Sequence, residues 1–156
     1  MVESTSRHFR DSRSGVAALG HRARRRAVLD VILGIGVDAI DIPRVEKMFA
    51  DRGDRMLPRL FSAGEVVYLS GKAFPAQHMA VRLAAKEAAY KALSGNELAR
   101  GIGWRDVEVV TREDGSPEIR LHGRAESRFL ELGATSIHVS LTHSQTTAIA
   151  VVIVER

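Results

Sequence analysis

Residues 82–95, Arg82-Leu83-Ala84-Ala85-Lys86-Glu87-Ala88-Ala89-Tyr90-Lys91-Ala92-Leu93-Ser94-Gly95, form an alanine-rich stretch with four charges. Alanine, leucine and straight-chain charged residues favour the helix. Pro75 suits its first position, and Ser94-Gly95 close it in a C-cap pattern, so a long helix is predicted over 75–93. The small side chains of Ala84, Ala85, Ala88 and Ala89 let another element approach closely, which predicts a covered helix. Charges on a covered helix need partners. Glu87 and Lys91 stand four apart in the favourable order, a pairing worth about 0.2–0.5 kcal/mol that by itself accounts for both residues. Arg82 and Lys86 have the same spacing with like charge, and repel unless an anion lies nearby.

Outward from this helix, Val31 to Val37 is apolar and reads as a buried strand ending at Asp38. Asp41 is a plausible cap and Pro43 a first helical residue for a helix through about Ala50, which Gly53 breaks. Ser62-Ala63-Gly64-Glu65 has capping-box spacing and opens a short helix near 63–70. The second half is β-rich. Val107–Val110 and Glu118–Leu121 alternate around a hairpin turn at Asp114-Gly115, Ala125–Leu132 fits a helix, and Ile137–His143 and Thr147–Val154 are closing strands. The order predicts a single compact α+β domain.

The chain has 156 residues, 45% hydrophobic and 27% charged, and no cysteine. That excludes disulfides and cysteine chemistry and fits a reducing cytoplasm. No apolar run of membrane-spanning length is present. Residues 1–30 hold seven arginines against three acids, leaving 16 basic and 16 acidic residues in 31–156. The net charge of +4 therefore belongs to the first 30 residues, which read as a disordered basic leader without the apolar core of a secretory signal. The domain itself, 31–156, is neutral, so the basic pI of the whole chain is no argument for nucleic-acid binding by the domain.

Two carboxylates stand out. Asp38 follows Gly34-Ile35-Gly36 at the end of an apolar strand, where it needs a cation, a donor or solvent. The glycine pair lacks the third glycine and following helix of a dinucleotide fingerprint. Glu87 is the second. Two carboxylates with lysines beside them suit a magnesium ion that holds a diphosphate. His138 and His143 are five apart on one strand, so they face opposite sides and do not share a metal. His143, at the strand end beside Thr142 and Ser144, is the better placed for a phosphate. Ser140 has no preceding glycine elbow and is not a nucleophile candidate. Arg44, Met48, Arg52 and Arg55 recur near helical spacing, with Arg59 beyond. They read either as a solvated face interleaved with Asp41, Glu46, Asp51 and Asp54, or as a docking stripe for an acidic partner helix.

Four separated motifs, GIGVDAIDIPRVEKM, RLAAKEAAYKALSG, VEVVTREDGSPEIRL and IHVSLTHSQTTAIAVVIVE, together resemble the holo-(acyl-carrier-protein) synthases, the short, single-domain type of 4′-phosphopantetheinyl transferase. The likeness spans about residues 32–155; the leader has no counterpart. It implies a magnesium-dependent enzyme of fatty acid biosynthesis in the cytoplasm. Such an enzyme moves the 4′-phosphopantetheine arm of coenzyme A to a serine of apo acyl carrier protein, releasing adenosine 3′,5′-bisphosphate. It also implies a homotrimer with active sites at the subunit interfaces, and no nucleic-acid or membrane partner. By resemblance Asp38 and Glu87 are the magnesium ligands, Lys91 lies near the diphosphate, and Arg82 lies near the coenzyme. His143 contacts the nucleotide end, Ser144 a phosphate, and Arg44, Met48 and Arg55 receive the carrier protein. Lys86 holds the first position of the family's K-E-A motif. Leu83 replaces a frequent aromatic residue, and the segment from Ser94 to Trp104 is longer than the family's compact glycine loop.

This chemistry needs charge neutralisation and alignment more than a protein nucleophile. The base for the serine proton has no clear owner, Glu87 being the candidate. The competing readings are a noncatalytic module that binds coenzyme, a nucleic-acid binder using the arginine leader, and a transferase serving polyketide or peptide synthases. The aromatic content of 5% argues against a base-stacking surface.

Overall fold

The computed structural model describes residues 31–94 and 100–156; the leader over 1–30 and the Gly95 cap lie outside the described residues. The elements run β1 (Ile32–Asp41), α1 (Ile42–Arg52), a 3-10 turn (Gly53–Arg55), α2 (Leu57–Leu60), α3 (Ala63–Ser70) and α4 (Pro75–Leu93). A second 3-10 turn (Trp104–Asp106) leads to β2 (Val107–Thr111), β3 (Pro117–Leu121), α5 (Gly123–Glu131), β4 (Ser136–His143) and β5 (Thr147–Glu155). An antiparallel sheet in the order β1-β5-β4 and a separate β2-β3 hairpin sandwich α4 between them, and the fold is α+β as expected.

α4 keeps its predicted bounds, and its alanines are the reason it can occupy the centre. Ala84, Ala85, Ala88 and Ala89 are fully buried, and they face Ala150, Val152 and Val154 of β5 within one core cluster. Gly34 and Gly36, two apart, turn the same face of β1 toward the helix. A Cβ on Gly34 would lie 2.0 Å from the Ala92 carbonyl oxygen, and one on Gly36 would lie 1.8 Å from that of Ala88. The glycine pair therefore serves backbone-to-backbone packing. A second core cluster joins Val45 of α1, Leu69 of α3 and Phe61 to Met79 and Leu83 near the start of α4. Arg128 of α5 donates to the Leu93 carbonyl at 3.0 Å, and its cation suits the negative end of α4.

β1 extends three residues past its expected end. The Asp41 carboxylate accepts from the Arg44 amide at 2.8 Å and caps α1, so strand passes into helix without a loop. Asp38 is thus an internal strand residue opposite Ala150. α2, a single turn, was not expected. The outward face of β1 and β5 stays apolar and open, with Ile35 58%, Val37 51% and Ile149 38% exposed. Among the described residues no helix is long and apolar enough to cross a membrane.

Candidate active site

β1 and α4 bring Asp38 and Lys91 together. The Lys91 ammonium donates to Asp38 Oδ1 and to the Val37 carbonyl, each at 2.8 Å. The i, i+4 pairing of Glu87 with Lys91, the simplest account of the two charges, is therefore not made: Lys91 reaches the strand instead. Glu87, half-buried, has no hydrogen-bond or ion-pair partner among the described residues. It lies where two cavities meet. The larger, of 1110 Å³, is lined by Arg44, Met48, Arg52, Arg55 and Arg59 along with Glu87. The smaller, of 240 Å³, lies between Glu87, Tyr90 and the segment Gly101–Trp104. Trp104 lines both cavities, a position that sequence reasoning missed. Its one signal was the chain's single tryptophan directly after Gly101-Ile102-Gly103.

Lys86, next to Glu87, is fully enclosed. Its ammonium donates to Glu65 Oε2 at 2.8 Å, to the Trp104 carbonyl at 2.9 Å and to the Val107 carbonyl. The Glu65 carboxylate also accepts from the Ser62 amide at 2.9 Å and the Val109 amide at 3.1 Å. Glu65 is therefore both the expected capping-box acid and the anion that the Arg82/Lys86 spacing called for. Burial pushes the Lys86 ammonium below its usual 10.5, and the Glu65 charge partly restores it.

Arg82, only 4% exposed, does not reach the larger cavity. Its guanidinium lies 3.8 Å over the Tyr68 ring and donates to Thr111 Oγ1 at 3.3 Å, while its Nε finds no acceptor. Lys72 lies 4.2 Å from the same ring, and His78 meets it edge-on at 5.7 Å. Burial lowers the His78 imidazole below 6.5, and Lys72, Arg82 and His143 lower it further by repulsion. Burial pushes the Tyr68 phenol up, but Arg82, Thr111 and Lys72 outweigh it and hold the phenol below 10.0. Four basic groups thus converge on one corner, and His143 is among them. The Ser144 hydroxyl accepts from the Thr146 amide at 3.2 Å and the Thr147 amide at 3.1 Å, which leaves its own proton free to donate. His138 lies elsewhere, paired with Glu155 at 3.1 Å.

No cluster of three or more metal-ligating side chains exists among the described residues. Asp38 and Glu87 each present the hard oxygen donors that magnesium takes, Asp38 holding the Lys91 ammonium and Glu87 unpartnered among the described residues, but Asp38 lines neither of the two cavities at Glu87.

A family model described as the 4′-phosphopantetheinyl transferase superfamily matches residues 34–152. A holo-[acyl-carrier-protein] synthase of Geobacter metallireducens is 44% identical over 126 residues, covering 81% of this chain and 99% of that relative. The crystal structure of a holo-(acyl-carrier-protein) synthase from Bacillus anthracis in complex with CoA (3′,5′-ADP) matches with a TM-score of 0.64 at 29% identity, over 80% of this chain and 96% of that one. The synthase from Neisseria meningitidis shares the fold with a TM-score of 0.72 at 23% identity, over 81% of this chain and 100% of that one.

Proposed function

The chain belongs to the 4′-phosphopantetheinyl transferase superfamily, and from that membership we propose that it transfers the 4′-phosphopantetheine arm of coenzyme A to a serine of apo acyl carrier protein, releasing adenosine 3′,5′-bisphosphate. The observation that carries the reading in this molecule is the position of Glu87. It stands where a wide arginine-lined cleft meets a narrow pocket, as a transfer between a protein acceptor and an extended coenzyme requires.

Asp38 and Glu87 are the residues that would hold magnesium. When bound, the ion supplies charge neutralisation at the coenzyme's diphosphate. Lys91 adds a mobile positive charge beside them. Arg82, His143 and Ser144 are assigned to the coenzyme's nucleotide end. The supporting observation is the convergence of Arg82 and His143 with Lys72 and His78, a corner of two fixed cations and two imidazoles that suits phosphate. Arg44, Met48 and Arg55 receive the carrier protein. They line one cleft, where cations surround a flexible apolar residue, a surface suited to an acidic helix. The setting is cytoplasmic fatty acid biosynthesis. The open apolar face of β1 and β5, on the side of the sheet away from α4, supports assembly as a homotrimer. Residues 1–30 are assigned no part in folding or catalysis.

Mixing the protein with coenzyme A, magnesium and apo acyl carrier protein tests the reading. The carrier protein should gain the mass of one phosphopantetheinyl group. Asp38→Asn and Glu87→Gln should each abolish the gain while circular dichroism stays unchanged; turnover like wild type in both would sink the metal assignment. No gain with the unaltered protein, together with salt-sensitive DNA or RNA binding, would favour a nucleic-acid binder.

A further inference from the structure

The Lys91–Asp38 contact has a geometry that a helix-surface pair does not explain. The ammonium crosses from α4 to β1 and makes two 2.8 Å contacts there, with Asp38 Oδ1 and the Val37 carbonyl. The Asp38 side chain is only 17% exposed, whereas that of Lys91 is 48% exposed. The carboxylate is thus walled in on most sides, and the lysine is the part able to leave. Magnesium binds oxygen at about 2.0–2.1 Å, shorter than an ammonium contact. Two positive centres on one carboxylate repel strongly at such separations, even on different oxygens.

We propose that Lys91 is the resident counter-ion of Asp38, and that a divalent cation binds by displacing it. Ligation of the metal and release of the lysine are then a single exchange. The four-carbon stem of Lys91 can swing with little repacking because about half of its side-chain surface is in solvent. Once free, the ammonium is available to an anionic group, so arrival of the cation delivers a second positive charge to the same phosphate. Without the metal, the pair keeps Asp38 neutralised and in place. This proposal rests on the assignment of Asp38 and Glu87 as metal ligands.

Manganese(II) binding to the full chain, followed by electron paramagnetic resonance without coenzyme, tests it. Lys91→Met should bind Mn²⁺ about two- to tenfold more tightly than wild type, the range expected from removing a partly exposed competing ion pair and its repulsion. Lys91→Gln, which keeps a donor for the Val37 carbonyl, should show the same direction and guards against a packing defect. In the unaltered protein, acetylation of Lys91 read by mass spectrometry should speed up when Mn²⁺ is added. Unchanged or weaker binding in both Lys91 variants, with Asp38→Asn still abolishing it, overturns the exchange but leaves the metal site standing. Wild-type binding in both Asp38→Asn and Glu87→Gln overturns the metal assignment, and the exchange with it.

Discussion

Replacing Lys86 with methionine keeps the length of the side chain and removes its charge. In the native protein the ammonium has three acceptors, the Glu65 carboxylate and the carbonyls of Trp104 and Val107. Both side chains of the pair are 1% exposed, so solvent cannot replace either partner. Removing one partner of a buried ion pair costs about 3–5 kcal/mol, because the remaining charge is left uncompensated. For a domain of this size each kcal/mol lowers the melting temperature by roughly 3–5 °C, so a fall of roughly 10–20 °C is expected. Glu65→Gln should cost a similar amount. The double variant removes both charges and should be less destabilised than the sum of the singles by at least about 1 kcal/mol. Urea unfolding, read as midpoint and slope, measures all four corners of the cycle. A single-variant cost under about 1 kcal/mol, or strict additivity, would refute the buried-pair reasoning.

Gly36→Ala should destabilise by about 3 kcal/mol or more, the upper end for overpacking, because the added carbon meets the Ala88 carbonyl at 1.8 Å and backbone has no rotamer to yield; thermal unfolding checks it. Glu108 accepts from Ser62 at 2.5 Å and pairs with His122 at 2.9 Å, and with the Ser62 bond foremost its carboxyl lies below the usual 4.5. Its stabilising contribution is therefore present above pH 4.5 and lost as pH falls through the folded value, so Glu108→Gln should show a shallower acid decline in urea midpoints. Charge reversal at Arg44 and Arg55 should weaken carrier-protein binding at least tenfold by calorimetry while leaving coenzyme A affinity unchanged, since about 1.4 kcal/mol lost across two contacts suffices. Deletion of residues 1–30 should leave melting temperature and transfer rate as in the full chain.

Local signals fixed most of the elements in advance. Pro75 and the alanine run set α4, Asp41 with Pro43 set α1, and the Ser62–Glu65 box set α3. Two local features escaped. α2 is a single turn too short to show periodicity, and the β1 extension reflects an Asp41 cap that needs no loop. The site was legible as residue types but not as pairings. Lys91 meets Asp38 across 53 positions, and only the helix-on-strand packing brings them together. Glu65 already had a complete local explanation as a capping residue, which hid its role as the anion of Lys86. Gly34 and Gly36 carried a weak suggestion of phosphate binding, whereas their physical reason is the helix backbone above them. The arginine–methionine stripe was visible as periodicity, but whether it opened on the same space as Glu87 depended on a cleft that no spacing encodes.

The glycine–alanine contact between β1 and α4 also acts as a gauge block. At Gly34 and Gly36 the strand that carries Asp38 meets the helix that carries Glu87 and Lys91 main chain to main chain, with no side chain on the strand at those two positions whose rotamer could change. Elsewhere in the core, a leucine exchanged for methionine is absorbed by neighbours that shift a little. Here there is no such tolerance. The distance between strand and helix is therefore machined into the backbone at that contact, and the surrounding residues can drift in sequence without retuning it.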